Sequence, residues 1–320
     1  MKKILKTLFV IIISALSISV VYTMTYRTVF FILNKRAVSR EQQVDFSEYG
    51  AGITWLKKSN KQTLFFIPSS EEIAVLELYG SWLKEMHEEL SVNIIIPPFD
   101  QEGFSPYLWE ENSSVKRRYS MTEFLYGLYS EQMGDNHKIT VLSTGDGSLP
   151  ALNLAAEFSN MDKIILISPV NNSPARRGGS IIHRMGGLPL VHYVVPWLIN
   201  SYGKNRIGPY DILNDKLNEK FQDELQKYYP EFLNFPYERK LRVAADKIMM
   251  SLEDIQPNRF FIIYGDDDLT YGLEGFERMG DQLNNGGSEV SIMRIPQSGR
   301  MILFDNGRDQ IIDLISILLQ

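Results

Sequence analysis

The sequence predicts an α/β protein: a mostly parallel, doubly wound sheet with a helical cap, preceded by one transmembrane helix. Three observations carry this. Short apolar runs alternate with stretches of helical periodicity, and several runs end at proline, glycine or serine, as in parallel strands covered on both faces. One long interval without a strand, Pro169–Pro257, interrupts the alternation. An uncharged apolar run follows the lysines at the N-terminus.

The N-terminal run is Thr7–Met24, long enough to span a bilayer as a helix, with Lys2, Lys3 and Lys6 before it. Lysines on that side favour a cytoplasmic N-terminus and an exported domain. The alternative is a cleaved signal peptide with Ser17-Ile18-Ser19 as the small-x-small site, giving a secreted protein. The anchor is favoured, because no A-x-A is present and the apolar run continues past that site. A buried core helix is the weakest reading of a terminal run behind a lysine cluster. Tyr26–Leu33 reads as an interfacial turn, so residues 1–36 form the anchor and juxtamembrane segment. The polar stretch Asn34–Tyr49 lies in a linker that extends through residues 37–60.

The domain follows over residues 61–320. Strands are predicted at Thr63–Ile67, Val92–Ile96, Ile139–Leu142, Lys163–Ile167, Arg259–Tyr264 and Val290–Ile295. Helices are predicted at Glu71–Leu90, Met121–Met133, Leu149–Phe158, Gly275–Asn284 and Asp305–Leu319. The segment 170–257 reads as an inserted cap with helices at Asp211–Tyr228 and Glu238–Leu252, since a crossover needs far fewer residues. Ordinary crossover helices are the alternative.

Composition narrows the function. The chain is 44% hydrophobic and 22% charged, enough to bury a core. A net charge of -6 argues against nucleic-acid binding. The absence of cysteine removes disulfides, thiolate metal sites and cysteine nucleophiles. Four histidines exist, His87, His137, His183 and His192, and none follows residue 192.

The stretch Ser143-Thr144-Gly145-Asp146-Gly147-Ser148 sits between a strand and a helix, the layout of a nucleophile elbow. With Ala151 and Ala155 behind it, this segment resembles the capped branch of the α/β-hydrolase superfamily, and the likeness extends over most of Lys61–Gln320. The register puts Gly145 where that family carries its serine. Further likeness lies in Ile96–Ser105, in Lys163–Pro169, in Phe261–Asp268 and in Ile295–Met301. The resemblance implies that Asp268 holds the catalytic-acid position, that Arg300 stands where histidine is usual, and that Pro68-Ser69 replaces the His-Gly of the oxyanion loop.

Candidate catalytic residues are therefore Asp268, Asp146 and Ser143, and candidate ligand-binding residues are Ser69, Gly145, Asp146 and Arg300. Asp146 enters as a nucleophile if the register shifts by one; otherwise it caps a helix N-terminus. Ser143, Thr144 and Ser148 otherwise read as small residues that permit the turn. Each histidine reads first as a packing or surface residue, although His183 and His192 could reach down from the cap. Asp266-Asp267-Asp268 reads as a solvated turn with one buried acid rather than a cation site, because no further ligands follow at loop spacing. Asp268 and Arg300 are expected to face each other; Arg176-Arg177, at the cap entrance, reads first as a solvated pair and otherwise as an addition to the ligand site.

No cofactor and no metal are expected. The partners expected are the membrane and an unknown small ligand or protein. The leading reading is a membrane-anchored hydrolase-like protein without Ser-His-Asp chemistry that acts by binding. The alternatives are an ester or acyl hydrolase using Asp146 or an elbow hydroxyl, and a purely structural assembly protein.

Overall fold

The computed structural model describes residues 53–56, 61–69, 72, 76–97, 114–133, 137–171, 212–217, 219–220, 244–268 and 270–319, with residues 9, 10, 13, 14, 17 and 21 near the N-terminus. Those six N-terminal residues are helical. Among the described residues no helix is long and apolar enough to cross a membrane. Most of Thr7–Met24 lies outside them, as do Tyr26–Leu33, Asn34–Tyr49, Asp100–Ser105, Arg176-Arg177, His183 and His192.

Seven strands form one sheet: β1 (Ile53–Trp55), β2 (Gln62–Ile67), β3 (Val92–Ile96), β4 (Lys138–Thr144), β5 (Lys163–Ile167), β6 (Arg259–Gly265) and β7 (Glu289–Ile295). Their order is β1-β3-β2-β4-β5-β6-β7. β1 runs antiparallel to β3, and every other pairing is parallel. The helices are α1 (Leu76–Glu89), α2 (Ser114–Met133), α3 (Ser148–Glu157), α4 (Leu273–Asn285) and α5 (Arg308–Leu318). Each of the six predicted strands is present, and β3 and β5 have the predicted bounds.

Alternation within the strands splits the core into two layers. Leu64 and Phe66 of β2 join Leu83 and Met86 of α1 and Ile311 and Ile315 of α5 on one face. Phe65 and Ile67 join Tyr126 of α2, Leu154 and Ala155 of α3 and Phe276 and Met279 of α4 on the other. Each fully buried Leu, Ile or Phe contributes about 1.5–3 kcal/mol, so neither face can be stripped of its helices. The Phe65 ring meets Tyr126 edge-on at 5.5 Å, and Tyr264 stacks on Phe276 at 4.6 Å.

Four readings are corrected. The stretch taken as a linker, residues 37–60, contributes the edge strand β1; three residues are too few to show a period. α1 spans Leu76–Glu89, and Glu72, predicted as helical, lies in a turn and donates its N–H to the Ser69 carbonyl at 3.1 Å. α2 begins two turns before the apolar period does, at Ser114. α5 starts at Arg308 and not Asp305, whose carboxylate is engaged elsewhere. Between β5 and β6 the described residues contain no strand and are helical at 215–217, 219–220 and 244–249.

The topology places the site. β2 connects to β3 on one side, while β4, its other neighbour, connects to β5 on the opposite side. The loops leaving the carboxyl ends of β2 and β4 therefore diverge and open a crevice, the usual ligand position in an open α/β sheet.

Candidate functional site

β4 ends at Thr144, and the chain turns through Gly145–Gly147 as a 3-10 turn into α3. Gly145 has φ 48°, in the left-handed region that glycine enters without a Cβ penalty. The apex of the elbow is therefore Gly145, with Asp146 one residue beyond. A Cβ built on Gly145 would lie 2.9 Å from Ser69 Cβ, 3.6 Å from Ser69 Oγ and 3.9 Å from Arg300 Nη1. Two side chains thus reach over bare backbone at the turn. Gly147 is required for a different reason: a Cβ there would overlap the Ile67 carbonyl oxygen, so a larger residue would push β2 and the elbow apart.

The loop after β2 is locked from below. The Ser69 N–H is shared between Glu72 Oε2 at 3.0 Å and Thr144 Oγ1 at 2.8 Å. Thr144 Oγ1 in turn donates to Glu72 Oε2. Glu72 is buried, and these two donors share the cost of burying its carboxylate. The Ser69 N–H consequently points into this network. The Ser69 hydroxyl is also buried and finds no hydrogen-bond partner among the described residues.

Asp146 does not stand alone. Arg118 of α2 places Nη1 3.3 Å from Asp146 Oδ2, both side chains being buried. Arg118 Nη2 donates to the Pro68 carbonyl, so one guanidinium ties α2 to both the elbow and the β2 loop. Next to it, burial pushes the Tyr119 phenol above its ordinary pKa, with Arg118 opposing and Asp146 adding to the shift. The Tyr119 hydroxyl has no partner among the described residues.

The acid turn and the Arg300 loop are stitched together. Asp266 N–H donates to Ile295 O at 2.9 Å, and Asp267 N–H to Ser298 O at 3.1 Å. A Cβ on Gly265 would overlap the Ser298 and Gly299 carbonyl oxygens, so the loops touch through backbone. Asp268 is fully buried and its Oδ1 accepts from the N–H groups of Thr270 (2.8 Å) and Tyr271 (3.1 Å). Asp267 is exposed, and Asp266 lies 3.8 Å from Arg294. Among the described residues no group of three or more His, Cys, Asp or Glu is placed to hold a metal ion.

Asp305 fixes the Arg300 loop. Its Oδ2 accepts from Gly299 N–H at 2.7 Å and Leu213 N–H at 2.9 Å, and its Oδ1 from Asn214 N–H at 2.9 Å and Asn306 N–H at 2.8 Å. One buried carboxylate therefore joins the loop that carries Arg300 to the inserted segment. Ser148 Oγ makes a second tie, accepting from Val170 N–H at 3.0 Å.

The described histidines are elsewhere. His87 Nδ1 lies 2.8 Å from Val92 O, at the start of β3. His137 Nε2 lies 2.6 Å from Thr63 Oγ1, beside the start of β2. Both sit at the amino ends of the strands, across the sheet from Gly145. Ser143 lies within β4, in register with Ile67 and Leu166, and is fully buried.

Of the residues singled out in the sequence, Ser69, Gly145 and Arg300 come together, Asp146 flanks them, and the loop of Asp268 is joined to that of Arg300. Glu72, Arg118, Tyr119 and Asp305 were not singled out. Glu72 meets Thr144 and Arg118 meets Asp146 across long stretches of sequence, and no local pattern announces these contacts.

No family model matches the chain, and no curated protein matches it in sequence. Solved structures do. A monoacylglycerol lipase from Paleococcus ferrophilus matches with a TM-score of 0.57 at 14% identity, over 80% of this chain and 93% of that one. A soluble variant of monoglyceride lipase from Saccharomyces cerevisiae matches at 0.56 and 11% identity, over 83% and 89%. MenH from S. aureus matches at 0.53 and 15% identity, over 80% and 92%. The strand order, the turn at Gly145 and these likenesses agree: the chain has the fold of the α/β-hydrolase superfamily.

Proposed function

We propose that this protein is a membrane-anchored, exported member of the hydrolase-like proteins that has lost Ser-His-Asp chemistry and binds a ligand or protein partner at the carboxyl edge of its sheet. One observation carries the reading. The elbow apex is a glycine at φ 48°, and the side chains over it are Ser69 and Arg300. The elbow thus offers no hydroxyl at its apex. Arginine keeps its proton at neutral pH and cannot serve as the base that a serine nucleophile needs. The likeness to lipases suggests an acyl compound as the ligand. The apolar run Thr7–Met24 behind Lys2, Lys3 and Lys6 supports anchoring.

The test is hydrolysis of a panel of short- and long-chain esters by the full-length protein in detergent, with Asp146→Asn beside it. No turnover is expected from either. Turnover lost in Asp146→Asn would overturn the proposal in favour of a non-standard hydrolase. Anchoring is tested by carbonate extraction of membranes and by the mass of the mature N-terminus. Release into the soluble fraction with loss of the first residues would mark a cleaved signal instead.

A further inference from the structure

We propose that Ser69 and Arg300 form an oxoanion clamp over Gly145, which takes the carboxylate or phosphate head of a small ligand; this rests on the reading that the site binds rather than hydrolyses. Two features converge on the same point. The Ser69 hydroxyl is 2% exposed, finds no partner among the described residues, and lies 3.6 Å from where a Gly145 Cβ would project. A buried hydroxyl without a partner costs free energy that a bound acceptor returns. Arg300 Nη1 lies 3.9 Å from the same point, and the residue is 8% exposed. A guanidinium carries five donors, so it can hold a carboxylate or phosphate oxygen while keeping other bonds.

The carboxylates around the turn each meet donors of this chain. Asp146 is matched by Arg118 at 3.3 Å. Glu72 takes the Ser69 N–H and the Thr144 hydroxyl. Asp268 Oδ1 takes two backbone amides. Gly145 is then more than a lost nucleophile: a side chain there would press on Ser69 Cβ at 2.9 Å and displace one of the two donors.

The experiment is calorimetric titration of the full-length protein in a non-ionic detergent with octanoate, octyl phosphate, inorganic phosphate and 1-octanol. At least one anion should bind saturably, and 1-octanol at least about tenfold more weakly. Ser69→Ala should weaken the anion about fivefold, as for loss of one hydrogen bond, and Arg300→Gln by more than about tenfold. Arg300→Lys keeps the charge and loses the fork, so it should fall between; it and Ser69→Ala decide the matter if Arg300→Gln does not fold. Octanoate against the phosphates identifies the head group. Saturable binding of none, equal binding of 1-octanol, or anion affinity unmoved by Ser69→Ala and the arginine variants would overturn the clamp. With no ester turnover, any of those results would leave the proposed function intact. Ester turnover that Ser69→Ala or Arg300→Gln abolishes would overturn both.

Discussion

The side chain of Ser69 occupies the space that a side chain on Gly145 would need: a Cβ at 145 would fall 2.9 Å from Ser69 Cβ, closer than carbon atoms pack. The two positions are sterically exclusive, and a change at one has to be read with the other. Gly145→Ser should destabilise the protein by about 2 kcal/mol through this overlap and the left-handed backbone. Adding Ser69→Gly should recover a good part of that loss. Denaturant unfolding of the two single variants and the double variant gives the coupling energy. Strictly additive effects would show that the side chains do not compete.

The same exclusion governs any attempt to build a serine and a histidine into the elbow. Gly145→Ser with Arg300→His supplies a hydroxyl and an imidazole but leaves Ser69 in the way. The triple variant with Ser69→Gly should show weak ester hydrolysis, and Asp268→Ala added to it should abolish that activity. Initial rates on a short-chain ester, measured against the protein without substitutions, decide it. Turnover that survives Asp268→Ala would remove Asp268 from the acid role.

Asp305 accepts four backbone amides, two of them from the inserted segment. Asp305→Ala would leave the buried Gly299 N–H and three part-buried N–H groups without their acceptor and should cost about 2–3 kcal/mol. Hydrogen exchange should quicken at Leu213, Asn214 and Gly299 together, since all three share that carboxylate. Exchange that quickens at Gly299 alone would separate the loop from the insertion.

Arg118 and Asp146 form a buried pair at 3.3 Å. Removing one partner strands a buried charge, so Arg118→Met should cost about 3–5 kcal/mol, and Arg118→Met with Asp146→Leu distinctly less. Thermal unfolding of the single and double variants gives the difference. A double variant as unstable as Arg118→Met would mean that the bond to the Pro68 carbonyl, rather than the ion pair, holds this corner.

Burial holds the His137 imidazole below its ordinary pKa. The unfolded chain then binds the proton more readily than the folded one. Stability is therefore present above the unfolded value of about 6.5 and falls as the pH drops below it, until the folded group also protonates. His137→Gln should flatten this part of the stability profile between pH 7.5 and pH 5. Denaturation midpoints across that range are the measurement, and an unchanged slope in the variant would assign the acid sensitivity to other groups.

The sequence by itself determined the sheet strands, the elbow and the residue types that stand at it. Val92–Ile96 and Lys163–Ile167 are apolar throughout because both faces are covered, and such runs are visible without a structure. The glycines and alanines around Gly145 are local requirements of a tight turn and a close helix, so they too are written in one short stretch. The absence of histidine after His192 needs only counting. Tertiary structure alone decided what stands over the turn. Ser69 meets Gly145 across the switch point between β2 and β4, Arg118 reaches Asp146 from another helix, and Asp305 gathers amides from a segment about 90 residues away. Periodicity reports only which face of an element is buried. These pairings depend on how separate elements pack, where a few tenths of an ångström decide whether a side chain fits, and no local pattern records that distance.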